Sequence, residues 1–287
     1  MNIDEILETD FQENNFQKDF NKEKWIKEKN GERNKVYSLI DKTSLKIVQD
    51  SEMFKGYLNI QSRFDKYSVA NGLLIYAQMP SATQLREYSE WKAIPNLFFN
   101  DNKNSILLLK KDRKNTMQFV VYKMFDISQT NMPQKQTHSK VLDDRILLKA
   151  FIHENPTEIK VVDELTSGLF VELNDDDNIL YIQRGADPRE IYQGIVREIS
   201  KVSFETDDPS IASFKAKCTS YIVCKKYGID VTNYSFNDIP KEFKNLSSRE
   251  IRKELEEVKD ATEEFNSRIN SSLESAFKHL KNKSYER

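Results

Sequence analysis

The chain has 287 residues, a length that accommodates about two domains at roughly 100–200 residues each. Its 44 Lys and Arg against 46 Asp and Glu leave a formal net charge of −2, so no global field draws it to nucleic acid and any such contact needs a local patch. Seven glycines, placed singly, exclude a glycine-rich phosphate loop; Cys218 and Cys224 make no disulfide framework and suit a reducing cytoplasm; no run approaches the roughly 18 apolar residues of a membrane span.

Residues 1–34 hold 9 acids and 6 bases, with Phe11, Phe16, Phe20, Trp25 and Ile26 at helical spacing. They read as a charged, amphipathic lead-in without the basic and apolar stretches of a secretory signal. Residues 35–126 reverse the sign, with 14 bases against 9 acids. Leu45, Val48, Phe54, Leu58, Leu73 and Leu74 recur at helical intervals and predict two or three helices. The short apolar runs Ser105–Lys110 and Met117–Lys123 then predict two antiparallel strands around a charged turn. The polar stretch Ser128–Lys140, containing Pro133, predicts a linker, placed at residues 131–145 between domains 35–130 and 146–287.

In the second segment, Gly168–Leu173 and Asn178–Gln183 flank Asn174-Asp-Asp-Asp177 and predict a β-hairpin. The three aspartates suit an exposed turn better than a calcium loop, which needs spaced acids and a distal Glu. Asp187-Pro188-Arg189-Glu190 supplies an N-cap, a first-turn proline and an acid before Ile191, Ile195, Ile199 and Val202, which is a helix start. A second helix runs from Ala212 to Tyr227 and stops at Gly228. Ser247-Ser-Arg-Glu250 is a capping box before a long amphipathic helix with Ile251, Leu255, Val258, Thr262, Phe265, Ile269, Leu273, Phe277 and Leu280 on its stripe. That stripe packs on its own body or offers a coiled-coil face to a protein partner.

Residues 64–92 mix aromatics with amides and bases. Single strands are held by rings that stack bases beside cations that follow the phosphates. Tyr67, Tyr76, Tyr88 and Trp91 are candidate faces, and Lys66, Arg86, Lys92, Lys110 and Lys111 candidate cations. From the residues alone, core packing and base stacking both stay open.

The pattern Tyr67-Ser68-x-x-Asn71-x-Leu-Leu-Ile-x-x-Gln78-x-Pro-x-Ala-Thr, followed by Trp91-Lys92, resembles the amino-terminal single-stranded-DNA-binding domain of the ArdC antirestriction family. The resemblance continues through Ile106–Leu109 and Phe125-Asp-Ile-Ser-Gln-Thr130, and so covers about residues 35–130. It implies a DNA-binding set of Lys66, Tyr67, Ser68, Asn71, Gln78, Arg86, Trp91, Lys92, Lys110 and Lys111. In place of the family's Lys-Gly-Glu-Lys-Gly turn this chain has Asn100-Asp-Asn-Lys-Asn-Ser105, without glycine and with less positive charge.

The second half resembles the zincin-like metallopeptidase domain joined to it in homologues such as the LtrC-like proteins of Gram-positive mobile elements. Zinc chemistry there needs H-E-x-x-H, two imidazoles one helical turn apart around a general-base Glu. The corresponding residues are Arg197-Glu198-Ile-Ser-Lys201, and the third ligand position falls at Lys217. Arg carries no lone pair for a metal and Lys would have to lose its proton, so the set implies no zinc, no other cofactor and no peptidase activity, with the cations forming an ion-pair cluster around Glu198. Independently of that resemblance, His138, His153 and His279 include no pair four apart. The resulting expectation is an α+β, two-domain cytoplasmic accessory protein of a conjugative or other mobile element. In it an ArdC-like single-stranded-DNA-binding, antirestriction-type domain precedes a mostly helical pseudoenzyme domain with a β-hairpin and a long C-terminal helix. The alternative is a protein-interaction or regulatory pseudo-peptidase that binds no DNA.

Overall fold

The computed structural model describes residues 22–100, 104–112, 118–133, 144–152, 157–174, 176–206 and 208–285. The lead-in up to residue 21, most of the expected linker (134–143), the turn at 113–117, His138 and His153 lie outside the described residues, as do the side chains of Trp25, Ile26, Phe277, His279 and Leu280. The chain is α+β. Helices α1 (Lys22–Ile47), α2 (Ser51–Arg63) and α3 (Val69–Gln78) lead into strand β1 (Leu85–Glu87), the short α4 (Tyr88–Lys92), and strands β2 (Ile106–Lys111) and β3 (Phe119–Asp126). Helix α5 (Asp144–Ile152) precedes strands β4 (Glu158–Val162), β5 (Val171–Asn174) and β6 (Ile179–Gln183), and four helices close the chain: α6 (Pro188–Lys201), α7 (Pro209–Lys226), α8 (Lys241–Lys244) and α9 (Ser248–Tyr285).

Local chemistry sets the helix ends. The Asp50 side chain accepts from the Met53 amide at the start of α2, and Ser68 accepts from Asn71 at the start of α3. Asp187 and Asp208 each cap a helix whose first residue is proline, so α6 and α7 begin with the same Asp-Pro device. Gly228 ends α7 with φ +78°, in the left-handed region that glycine occupies without penalty. At α9 the capping box forms, the Ser247 amide donating to Glu250 Oε2 at 2.8 Å.

Two three-stranded sheets form, in the orders β1-β3-β2 and β4-β6-β5. The predicted hairpins are present, β2 with β3 and β5 with β6. Strand β4, which pairs parallel to β6, and strand β1, antiparallel to β3, are additions that their short runs did not announce. In the hairpin turn the Asp177 carboxylate accepts from the Ile179 amide and the Tyr181 hydroxyl, so it is a turn-forming group. Helix α6 packs on the β5–β6 face so closely that a Cβ at Gly194 would fall 2.5 Å from Val171 Cβ. Only glycine fits there.

One hydrophobic core runs from Val36 to Leu273 and takes residues from both halves of the chain. Phe54 of α2 sits among Phe214, Phe236 and Phe243, with ring centroids at 5.3, 5.6 and 6.4 Å. The α9 stripe from Ile251 to Leu273 is buried, and α9 packs on α7, α5 and α1. Leu45, one of the apolar residues whose spacing predicted a helix, is 44% exposed; Val36, Ile40, Ser44 and Val48 hold the inward four-residue spacing. Polar welds reinforce the join. Lys215, 1% exposed, bonds Glu254 at 2.7 Å and also Glu257, tying α7 to α9. Asp41 of α1 accepts from Ser248 and Arg252 of α9. Among the described residues no helix is long and apolar enough to cross a membrane.

Candidate functional site

The amide residues of α3 complete the sheet. Strand β2 is an edge strand, and the main-chain groups of Leu107 and Leu109 that face away from β3 need partners. Asn71 Nδ2 donates to the Leu109 carbonyl while the Leu109 amide donates to Asn71 Oδ1, both at 2.8 Å. Gln78, two helical turns on, repeats the pattern on Leu107, with both bonds at 2.9 Å. Two side chains thereby do what a fourth strand would do. Buried Asp126 accepts from the amides of Thr83, Gln84 and Ser128, and its own amide donates to Gln129 Oε1. The Phe125-Asp-x-x-Gln-Thr130 run is therefore a loop clamp.

These assignments correct the expected DNA-binding set. Trp91 is 1% exposed and its indole N–H donates to the Phe125 carbonyl at 2.8 Å, so it offers no face to a base. Asn71 and Gln78 are committed to β2, and Ser68 to capping α3. Lys110 lies 2.7 Å from Glu87 and 4.6 Å from the Tyr122 ring centroid, which compensates its charge. Lys66, Lys92 and Lys111 are exposed and make no ion pair among the described residues. Arg86 is half-buried, its guanidinium 5.1 Å from the Trp91 ring centroid.

The sheet and its flanking turn keep aromatic surface at the exterior. Tyr88 is 42% exposed, lies on Phe99 with centroids 4.9 Å apart and planes at 14°, and carries the Lys92 ammonium 5.7 Å from its centroid. Phe98, next to Phe99 in sequence, is 67% exposed. Sequence reasoning gave Tyr88 as a possible face but chose Trp91; the capping box between Glu87 and Glu90 is the signal that Tyr88 opens a short helix on the surface while Trp91 turns inward. Tyr67 and Tyr122 are half-buried. Burial, followed by the Glu90 charge, raises the Tyr67 phenol above its ordinary range, and burial, Tyr67 and Glu87 raise Tyr122 further, so both hydroxyls stay protonated donors.

At the second constellation, α6 brings Arg197, Glu198 and Lys201 onto one stretch and α7 supplies Lys217. Glu198 is buried, and Arg197 Nε donates to its Oε1 at 3.1 Å. Lys217 turns away to Asp238 at 2.7 Å and lies 5.5 Å from the Phe236 ring centroid. Lys201 is exposed and makes no ion pair among the described residues. The expected single cluster around Glu198 is thus two separate ion pairs, because the loop carrying Asp238 reaches Lys217 first. A donor set of two lysines, one arginine and one glutamate does not fit a divalent metal: the carboxylate is already engaged and the cations repel the ion. Among the described residues no group of three His, Cys, Asp or Glu side chains is arranged to hold one. Cys218 and Cys224 are buried on α7; burial raises both thiols, Cys224 to about 12, so neither is a ready nucleophile.

The fold that emerges is an α+β body with two small sheets, one carrying a cation-and-ring surface and the other backed by α6, which bears Arg197, Glu198 and Lys201. No protein-family model and no curated protein matches the chain. Among solved structures it is similar to the antirestriction protein ArdC from the R388 plasmid. The metal-free structure of that protein is 12% identical, covers 71% of this chain and 86% of its own, and has a TM-score of 0.48. The Mn(II)-bound structure is 11% identical, covers 74% and 91%, and has a TM-score of 0.47.

Proposed function

We propose that this is a cytoplasmic single-stranded-DNA-binding accessory protein of antirestriction type, serving a mobile element, whose second half is a metallopeptidase-like body without metal or peptidase activity. The observation that carries the binding reading is the Tyr88 platform: an exposed ring held flat on Phe99, with a cation over it, directly after edge strand β1 of a sheet whose other edge strand ends at the exposed Lys111. Stacking of a base on such a ring is worth about 1–3 kcal/mol, and the cations take phosphates. The residue pattern shared with the ArdC family over 35–130 supports the same reading. The chemistry of Arg197, Lys201 and Lys217 supports the metal-free second half.

The alternative, an interaction protein that binds no DNA, is favoured by the Glu87–Lys110 ion pair, which neutralises one cation of the surface. Fluorescence anisotropy of a labelled single-stranded oligonucleotide separates the two. The full chain is expected to bind in a salt-sensitive way that duplex competes poorly, and Tyr88→Ala with Lys92→Ala, folded by circular dichroism, is expected to lose about tenfold or more. No binding at low salt would install the interaction reading. Stoichiometric zinc in the purified protein, or cleavage of a peptide substrate, would overturn the pseudoenzyme part.

A further inference from the structure

Asn59 of α2 joins helices from opposite halves of the chain. Its main-chain carbonyl accepts from Arg63 Nε at 3.2 Å, and its side-chain carbonyl accepts from the Tyr221 hydroxyl at 2.6 Å. Lys55, Asn59 and Arg63 follow at four-residue spacing and form one stripe on α2, as Tyr221 and Lys225 do on α7. Lys55 Nζ donates to the Tyr234 carbonyl at 2.9 Å, and Lys225 Nζ lies 5.8 Å from the Tyr221 ring centroid. Three cations therefore gather along the seam of α2 and α7. Among the described residues none of them makes an ion pair, whereas the adjacent Lys226 is matched by Asp65 at 2.6 Å.

The grouping has an electrostatic cost. Burial, then the fields of Arg63 and Lys55, push the Lys225 ammonium below the ordinary lysine range. The acids whose fields reach the seam, Asp126 at Arg63 and Glu52 at Tyr221, form no ion pair there. In a chain with more acids than bases, three uncompensated cations in one partly buried strip are a feature that an anionic ligand would relieve.

We infer that the seam between α2 and α7 is a second phosphate-binding strip that takes the backbone of the same nucleic-acid strand where it leaves the sheet, an inference that rests on the single-strand reading above. Arg63 makes the connection in space: its guanidinium donates to the Pro80 carbonyl at 2.7 Å, and the chain from there passes directly to Thr83 and Gln84, whose amides bond Asp126 of β3. Tyr221 is 1% exposed, so the strip offers no ring to a base and adds affinity without sequence preference. A folded protein partner needs an apolar, aromatic centre that the strip lacks.

The test compares a short oligonucleotide of about 6 nucleotides with one of about 25 on the full-length chain, in the spans that single-strand sites of this kind cover. Wild type is set beside a strip variant (Lys55→Gln, Arg63→Gln, Lys225→Gln) and a sheet variant (Tyr88→Ala, Lys92→Ala). Lys225→Glu alone serves as the strip variant that folds regardless, since Lys225 makes no hydrogen bond among the described residues. In wild type the long strand should bind tighter than the short one. The strip variant should lose that advantage, about tenfold, with its salt slope on the long strand falling by about 2 and the short strand unaffected. Full retention of the advantage in both strip variants overturns the inference while the sheet reading stands. Long-strand binding lost in the strip variant but kept in the sheet variant upholds the strip and overturns the sheet. Failure of wild type to bind either strand overturns both, and capture of an acidic polypeptide by the strip in preference to DNA overturns the nucleic-acid assignment.

Discussion

Two regions hold the polar residues that draw the eye in the sequence, and they use them in opposite ways. Around α3 and β2, Asn71, Gln78, Trp91 and Asp126 are bonded to main-chain groups of the sheet and its loops, so a set that resembles a binding motif is scaffold of the sheet itself. Around α6 and α7, Lys217 pairs with a carboxylate at the surface, Asp238 being 64% exposed, and holds little together, while Arg197 pairs with its buried neighbour Glu198. The difference teaches that a polar motif is read by where its hydrogen bonds end. Side chains that end on main chain in the interior cannot be exchanged without opening the sheet, while surface ion pairs are exchanged at small cost.

The sharpest way to break this comparison is Trp91→Ala. If Trp91 is scaffold, the cavity and the lost indole bond to the Phe125 carbonyl should cost about 3–5 kcal/mol by denaturant unfolding. Loss of DNA binding at unchanged stability would return Trp91 to the surface. Next in size, Asn71→Ala leaves the buried amide and carbonyl of Leu109 unpaired and should cost about 3 kcal/mol, with Gln78→Ala smaller because that side chain is half-buried. Lys217→Ala is the counterpart on the other side and should change stability by no more than about 0.5–1 kcal/mol, since its partner is solvated. A cost rivalling that of Asn71→Ala would collapse the contrast.

The smallest effect concerns pH and sharpens the role of α9. Burial tends to raise the Asp41 carboxyl, but the bonds from Arg252 and Ser248 outweigh it and hold the group below its ordinary value of 3.8. A carboxylate lowered by folding stabilises the native state above its ordinary value, and the contribution disappears as pH falls through the lowered folded value. Thermal melting between pH 6 and about 2.5 should therefore show a steeper acid loss for wild type than for Asp41→Asn, by a fraction of a kcal/mol because the pair is largely solvated. Identical acid limbs would show that the Asp41 bonds to Arg252 and Ser248 contribute nothing to stability.

Much of the architecture was legible because it is written in local chemistry. The Asp-Pro start of α6, the stop at Gly228, the capping box before α9 and the hairpin at Asn174–Asp177 each depend on residues within a few positions of one another, whereas α7, read from Ala212, begins at Pro209 behind the same Asp-Pro device. The missed pieces are those whose partners lie far away: β1 has three residues, and β4 is recognisable only by its pairing with β6. The same holds for the candidate interface. Tyr88 and Trp91 sit three residues apart with similar chemistry, and nothing local says which faces water.

The sequence by itself determined helices in the first segment, α6, α7 and α9 with the caps of α6 and α9 and the stop at Gly228, the two hairpins, the basic character of residues 35–126 and the cationic residues at 197, 201 and 217, because residue identity and short-range spacing suffice for these. Only the tertiary structure decided that Asn71 and Gln78 close a sheet edge, that Lys217 turns to Asp238, and that Lys55, Arg63 and Lys225 meet on one seam although 170 positions separate Lys55 from Lys225. Hydrogen bonds and fields act through space. A one-dimensional pattern names the charges and the rings, and only the packing of α2 on α7 and of α3 on β2 fixes which of them remain open to a ligand.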